Sequence, residues 1–443
     1  MLPPDPDRSK AASGFFRKAS LSFTMRFAGL ALQFLGAIMV ARLLGAESYG
    51  AYTYASTWAV FIGMIMPLGL SGLSVREVPA YLERRQLGLL NGYFLTLAAT
   101  VALSAAVMAG VLSWLERAGL LVLAPGWKLA LALAVIHALV LATSNMLNAF
   151  QRILTSQFLE TILRQSIYLG LIGAAAWLGF GLSSRIAFEL SILSALPVLA
   201  VMGAILLRMW RQNGSSGIRP RFAFRFWFAG AAPILMTVLA NRLQLDLDVM
   251  MVGAMLGDRE VGIYRAAARG AMLVSIANMV ALQLVGPMLS RALAADDSAG
   301  AQQLLSKAAA VSFLTGMPIV LALGAGAPLY LGLYGAGFPE ASLSLRLLML
   351  GQAAIVLAGA DSILLIMLRR ERLVLLVTAG GVVANFALNL SLIGPFGIEG
   401  AAVASLISMI ATRLTMVLWI LRTTGFDPTV RPTLHRFLRK GKR

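Results

Sequence analysis

Residues 44–55 read LGAESYGAYTYA, and residues 256–267 read LGDREVGIYRAA. Both segments follow the spacing LGxxxxGxYxxA. Five positions therefore recur, and the three with the most distinctive residues are Gly45, Gly50 and Tyr52 in the first copy and Gly257, Gly262 and Tyr264 in the second. A motif that recurs once in each half of a chain indicates an internal duplication. The chain is thus expected to consist of two similar halves, each with this motif as a structural hairpin between its first two helices.

The sequence on either side of the two motifs is strongly apolar. Of 443 residues, 59% are hydrophobic and only 13% are charged, whereas soluble proteins have roughly 25% charged residues. A helix needs about 20 apolar residues to cross a bilayer, and twelve such segments can be drawn. The predicted fold is an all-α polytopic membrane protein with about twelve transmembrane helices in two parallel six-helix lobes.

A polar segment separates the halves. It reads RQNGSSGIRPRFAFR over residues 211–225 and is typical of a linker, because Gly, Ser and Pro interrupt any apolar period. The predicted organisation is a cytoplasmic basic N-terminus at 1–19, an N-lobe at 20–210, a cytoplasmic linker at 211–226, a C-lobe at 227–421 and a cytoplasmic basic tail at 422–443.

The formal net charge of +18 is explained by topology. Cytoplasmic loops of membrane proteins are rich in Lys and Arg. With both termini placed in the cytoplasm, 25 of the 37 Lys and Arg residues fall on that side. Nucleic acid is therefore not expected as a partner. Because Cys is absent and only two His are present, we expect no metal site, and no motif indicates a cofactor.

Several features together resemble the bacterial polysaccharide-transporter branch of the multidrug/oligosaccharidyl-lipid/polysaccharide (MOP) superfamily. They are the two motif copies, Asp248 in DVMMVGAMLG, and the segment LNLSLIGPFGIEGAAVAS at 388–405. The resemblance implies a flippase that moves undecaprenyl-pyrophosphate-linked oligosaccharides across the bacterial inner membrane for O-antigen, capsule or exopolysaccharide assembly. It also implies that its partners are the lipid-linked oligosaccharide, membrane lipids, H+ or Na+, and a polysaccharide polymerase with its chain-length machinery.

Other functions stay open at this point. An ion-coupled drug/cation antiporter of the same superfamily would have the same fold, and the related peptidoglycan-precursor flippases usually have two more spans than this chain can hold. A polytopic glycan polymerase or ligase is the rival enzyme class. The predicted outer connections are short and carry no His or paired acids for acid–base catalysis, so we do not expect an enzyme.

Arginines inside the predicted spans are candidate substrate ligands. A charge at that depth costs about 2.5–3.5 kcal/mol, and Arg suits pyrophosphate because it is permanently charged and bidentate. The candidates for cations of a cleft between the lobes are Arg164, Arg242, Arg269, Arg413 and Arg26. Arg26 lies near a span end, where snorkelling also explains it.

Acids in the spans are candidate coupling sites. Glu160 precedes Arg164 by four residues and Asp246 follows Arg242 by four, so each is expected to neutralise its arginine. Asp248 and Asp361 have no such basic neighbour and are predicted to bind the coupling ion, with pairing to a cation on another helix as the alternative. The helical period turns Asp248 about 200° away from Asp246, which predicts separate sites for them.

Two kinds of polar residue in the spans have a second interpretation. His137 is interpreted as a neutral helix contact. The amides in or near the spans are either ligands for glycan hydroxyls or interhelical contacts, and they are Asn145, Asn148, Asn241, Asn278, Gln283, Asn385 and Asn389.

Overall fold

The computed structural model describes residues 6–119, 127–213 and 217–432, without the side chains of residues 6–20, 23, 276–284 and 287. The predicted basic ends therefore lie partly outside the described residues, as do the side chains of Asn278 and Gln283. Within the described ranges every regular element is a helix.

The helices are as follows, in chain order. They are α1 (Pro6–Ile65), α2 (Leu70–Glu83), α3 (Leu87–Arg117), α4 (Trp127–Ala149), α5 (Ile153–Gln157), a π-helical turn (Phe158–Leu163), α6 (Arg164–Trp177), α7 (Ser184–Gln212), α8 (Phe224–Met255), α9 (Asp258–Ala294), α10 (Ser298–Ala325), α11 (Ala327–Gly332), a 3₁₀ turn (Phe338–Ala341), α12 (Ser342–Ala358), α13 (Asp361–Met367) and α14 (Glu371–Thr423).

Among the described residues, eight helices are long and apolar enough to cross a membrane. Two of them are double, because α1 is broken at Gly45 (φ 75°) and α14 at Gly397 (φ 61°). A positive φ interrupts a right-handed helix, and glycine adopts it without steric cost. With the stretch 153–177 and α9, these helices account for the twelve predicted segments. The predicted all-α polytopic membrane fold is confirmed.

The chain forms two compact units. The first comprises residues up to Leu44 and Tyr52–Arg242, and the second comprises Gly45–Ala51 and Leu243–Arg443. Helix α8 passes from one unit to the other after Arg242, so the polar linker and the start of α8 belong to the first unit. The predicted lobe bounds at 210 and 227 stay a prediction.

The first unit is built around α4. This helix packs against α7 and α2, and the core there is formed by large apolar side chains with almost no exposed surface, including Leu90, Tyr93, Leu133 and Trp227. Burial of such side chains is the main stabilising contribution in the parts of the unit that are not in contact with lipid. The α4 core also fixes the position of His137.

The second unit contains both copies of the repeated motif, and they pack against each other. A side chain at Gly50 would overlap the carbonyl oxygen of Asp258 and lie 2.9 Å from the Gly262 nitrogen. Likewise, a side chain at Gly262 would overlap the carbonyl oxygen of Ala46. Ala46 and Asp258 occupy the same position in the motif, so the contact is reciprocal. Only glycine lets two helix backbones approach this closely.

Candidate functional site

Two predicted cations come together in the first unit. Arg164 begins α6 directly after the π-helical turn, and Arg242 lies on α8. His137, on α4, lies within electrostatic range of both guanidinium groups. Turns of π-helix inside α-helices occur frequently at functional sites. The first unit thus contains a cationic cluster, which we define as Arg164, Arg242 and His137.

Arg164 makes no ion pair or hydrogen bond with any residue that the structure describes. Glu160 is within electrostatic range of the guanidinium, but its carboxylate accepts a hydrogen bond from Ser144 at 2.6 Å instead. The predicted Glu160–Arg164 ion pair is therefore wrong, because an adjacent helix supplies a hydroxyl that spacing along one helix does not reveal. Arg164 is half-buried and its charge is available to an anion.

The other predicted cations have different surroundings. Arg26 is exposed on α1, where a long side chain can reach the membrane surface. Arg269 is half-buried on α9, in the second unit, within electrostatic range of Tyr330 and Tyr334. The hydroxyls of these tyrosines are 3.2 Å apart.

Arg413 and Asp361 form an ion pair within the second unit. The Arg413 Nη1 atom is 3.1 Å from the Asp361 carboxylate and also donates to the Ser362 hydroxyl at 2.7 Å. Asp361 is only 2% exposed. Asp361 has no basic neighbour on its own helix, as expected, and the interhelical alternative applies to it, since α14 brings Arg413 to it from a distant part of the chain. The two residues neutralise each other, which weakens both as candidates for ion or substrate binding.

Asp248 is surrounded by neutral hydrogen-bond donors. Its carboxylate accepts from the Tyr264 hydroxyl at 3.0 Å, from the Asn389 amide at 2.8 Å and from the Ser405 hydroxyl. Asn389 and Ser405 lie on either side of the break in α14, and Asn385 bonds to both of them. Among the described residues no cation pairs with Asp248. We define the Asp248 cluster as Asp248, Tyr264, Asn385, Asn389 and Ser405.

Asp246 lies two residues earlier on α8 and has a separate partner. It is 2% exposed and accepts from Arg265 Nη1 at 2.7 Å. Asp246 and Asp248 thus have different described partners, and their service of separate functional sites stays a prediction. The Arg265 side chain is only 19% exposed. The pairing of Asp246 with Arg242 stays a prediction.

Three residues of these sites were missed as functional residues by sequence reasoning. Tyr264 and Arg265 lie inside the second motif copy, and Ser405 ends the segment that carries the family resemblance. Both segments stand out as patterns in the sequence, and this was the signal that could have identified these residues. Their side chains reach the two acids of α8 only because α9 and α14 fold against that helix.

Removing the buried partner Asp246 should destabilise the second unit. We expect Asp246→Asn to cost about 3 kcal/mol or more, because Arg265 would keep its buried charge without a carboxylate. The double variant D246N/R265Q should recover much of this loss. Thermal unfolding of the protein in detergent, followed by size-exclusion chromatography, measures both effects.

The exposed pair Arg185–Glu189, 2.9 Å apart at (i,i+4), provides a matched control. Glu189→Gln should change stability by less than about 1 kcal/mol, because exposed ion pairs contribute little. If Asp246→Asn is no worse than Glu189→Gln, the buried pair has no structural role.

Comparison with solved structures places the fold among membrane transporters. The chain resembles an inward-facing multidrug resistance MATE family transporter of the MOP superfamily, with a TM-score of 0.66, 15% identity, and coverage of 90% of this chain and 97% of the other. The inward closed lipid II flippase MurJ gives a TM-score of 0.68 at 15% identity, over 90% and 87%. A MOP superfamily transporter from Pyrococcus furiosus gives 0.56 at 14%, over 90% and 94%.

Sequence comparison gives the family. No curated protein has significant sequence similarity to the chain. The family model described as "Polysaccharide biosynthesis protein" matches residues 15–293, which is more than half of the chain. Those residues include both motif copies, Arg164 and Asp248. The chain therefore belongs to the polysaccharide biosynthesis protein family and is a multi-pass membrane protein whose fold resembles that of MOP-superfamily transporters.

Proposed function

We propose that this protein is a flippase for undecaprenyl-pyrophosphate-linked oligosaccharides, working by alternating access at the bacterial inner membrane with both termini in the cytoplasm. The family description names polysaccharide biosynthesis, and one structural relative is a lipid II flippase. The product would enter O-antigen, capsule or exopolysaccharide assembly, where a polymerase with its chain-length machinery would take it over.

The observation that carries the proposal is the cationic cluster of the first unit. A pyrophosphate carries two or more negative charges, and it enters a low-dielectric site only when fixed cations compensate for lost water. Arg164 provides such a cation, since no described residue forms an ion pair with it. Arg242 adds a second guanidinium, and His137 can donate one hydrogen bond as a neutral imidazole. The lipid tail can stay in the bilayer.

The main alternative is a drug/cation antiporter, because multidrug transporters share the fold. A site for organic cations needs acids that are free to bind them. In the described part of the chain, Asp246 and Asp361 are paired with arginines and the Asp248 carboxylate accepts from three neutral donors, whereas Arg164 forms no ion pair. This distribution of charge favours an anionic substrate.

Transport in proteoliposomes decides between the two functions. The protein should move a fluorescent undecaprenyl-pyrophosphate oligosaccharide to the leaflet where an added glycosidase can cleave it. It should not accumulate a lipophilic cation dye under the same gradient. Accumulation of the dye with no movement of the oligosaccharide would establish the antiporter instead.

The Asp248 cluster is proposed as the site of the coupling ion, H+ or Na+. It offers carboxylate, hydroxyl and amide oxygens, which hard cations prefer. The Oδ1 atom of Asn389 is buried without a hydrogen-bond partner, so an acceptor is available that a bound cation would satisfy. An ion bound there biases the transporter between its two states only by its differential affinity for them.

Asp248→Asn should uncouple transport from the gradient. We expect stimulation by an imposed H+ or Na+ gradient to disappear while substrate binding is retained, because the amide loses the negative charge that attracts the ion. Initial rates in proteoliposomes with each gradient separately measure this and identify the ion. Tyr264→Phe, which keeps the carboxylate, should retain stimulation. Equal stimulation of Asp248→Asn and the unmodified protein would contradict the assignment.

A further inference from the structure

The segment 217–226, GIRPRFAFRF, joins α7 to α8 and has an unusual surface. We define it as the basic–aromatic strap. Candidate membrane spans end just before it, at Gln212, and begin within it, at Phe224. The strap therefore lies at a membrane surface, whichever side of the membrane that is. Although its composition predicted a flexible linker, its backbone is fixed to the first unit.

Two hydrogen bonds hold the strap against α3, and a third, from α7, orients one of the side chains that make them. The Arg221 amide donates to the Gly88 carbonyl at 2.8 Å. The Asn91 side chain donates to the Ile218 carbonyl at 3.0 Å and accepts from the Trp210 indole at 2.6 Å. A side chain at Gly92 would overlap the Arg221 carbonyl, so the close approach depends on that glycine.

The following residue, Trp227, anchors the end of the strap. It has no exposed surface, and its indole donates to the Tyr81 hydroxyl at 2.7 Å. Its ring also contacts Phe224 edge-on, with centroids 6.1 Å apart. The strap is thus a defined platform, and its exposed side chains are held at the surface.

Those exposed side chains are of two kinds. Phe222, Phe224 and Phe226 are 49%, 51% and 56% exposed, and the first two rings stack at 5.1 Å. Arg219, Arg221 and Arg225 are exposed as well. The strap contains no acid, and no described residue forms an ion pair with these arginines.

We propose that the basic–aromatic strap is a binding site for the headgroups of anionic phospholipids. Aromatic rings at a membrane surface insert among the lipids, where their apolar area leaves water, and adjacent arginines pair with lipid phosphates. Each arginine near an anionic surface strengthens binding by about fivefold. This inference does not depend on the transported substrate, since it concerns a different surface of the first unit.

Lipid titration of the full chain tests the proposal. Native mass spectrometry in detergent counts bound phosphatidylglycerol and, separately, phosphatidylcholine. The triple variant R219Q/R221Q/R225Q should bind phosphatidylglycerol at least about tenfold more weakly than the unmodified chain, with phosphatidylcholine binding unchanged. The control R369Q/R370Q/R372Q removes the same charge from an exposed segment that includes the acid Glu371 and in which Arg370 lies over the Trp419 ring, and it should weaken phosphatidylglycerol binding less than the strap variant does.

Three results would overturn the proposal. The first is phosphatidylglycerol binding by the strap variant as tight as that of the unmodified chain, and the second is an equal loss of affinity in the control. The third is displacement of the lipid by inorganic pyrophosphate, which would indicate an anion subsite for substrate. A second measurement applies even if the triple variant does not fold. Because the chain has no Cys, a nitroxide can be attached at I218C alone, and it reports how deeply the strap lies in the lipid. Replacing phosphatidylcholine by phosphatidylglycerol in nanodiscs should lower the accessibility of this nitroxide to a water-soluble nickel complex. Unchanged accessibility would refute the inference.

Discussion

Replacing Arg164 by Gln is expected to abolish transport of the lipid-linked oligosaccharide while leaving the amount of folded protein unchanged. Arg164 has no ion pair or hydrogen bond to the described residues, so its removal breaks no such contact. Its loss should instead remove a charge-assisted contact with pyrophosphate, typically about 2–5 kcal/mol, and slow transport roughly thirtyfold or more. The measurement is glycosidase accessibility of the labelled substrate in proteoliposomes containing equal amounts of each protein.

Two further variants separate charge from structure. Arg164→Lys should restore transport partly if charge alone suffices and fail if the planar guanidinium must bind bidentately. Arg413→Gln should behave oppositely to Arg164→Gln and lower the yield of folded protein, because it leaves buried Asp361 without its cation. Full transport by Arg164→Gln would remove this residue from the mechanism.

Placing a methyl group at the contact between the two motif copies should prevent folding of the second unit. Both Gly50→Ala and Gly262→Ala would create an overlap with a backbone carbonyl, of Asp258 and Ala46 respectively. A backbone atom cannot turn away as a flexible side chain can. The cost should therefore exceed the roughly 1–3 kcal/mol of an overpacked core, and size-exclusion chromatography of a fluorescent fusion should show little monodisperse protein.

Gly394→Ala is the matched control for this experiment. Gly394 is also helical, and a side chain there would meet no atom within 4 Å. Its replacement should leave the yield unchanged or raise it slightly, since alanine is the better helix former. If Gly50→Ala and Gly262→Ala give yields equal to that of Gly394→Ala, the two copies do not pack as described.

The sequence was sufficient for the class of fold and for the position of the breaks. Apolar segments long enough to cross a bilayer can satisfy their backbone groups only as helices or closed barrels, so composition and segment length together predicted a helical membrane protein. The motif glycines predicted interruptions near Gly45 and Gly257, and the backbone there has positive φ at both residues. These features depend on the composition of short segments, which can be read directly from the sequence.

The partners of the charged residues were decided by the tertiary structure alone. Asp248 and Asp361 look alike in the sequence, as acids in apolar segments without a basic neighbour. In the fold Asp361 meets Arg413, whereas Asp248 meets only neutral donors from α9 and α14. Pairing at (i,i+4) could be read from one helix, but contacts between helices depend on which faces pack together, and helical spacing does not encode this. For the same reason the sequence revealed two motif copies, while only the folded chain brought Gly50 and Gly262 into reciprocal contact.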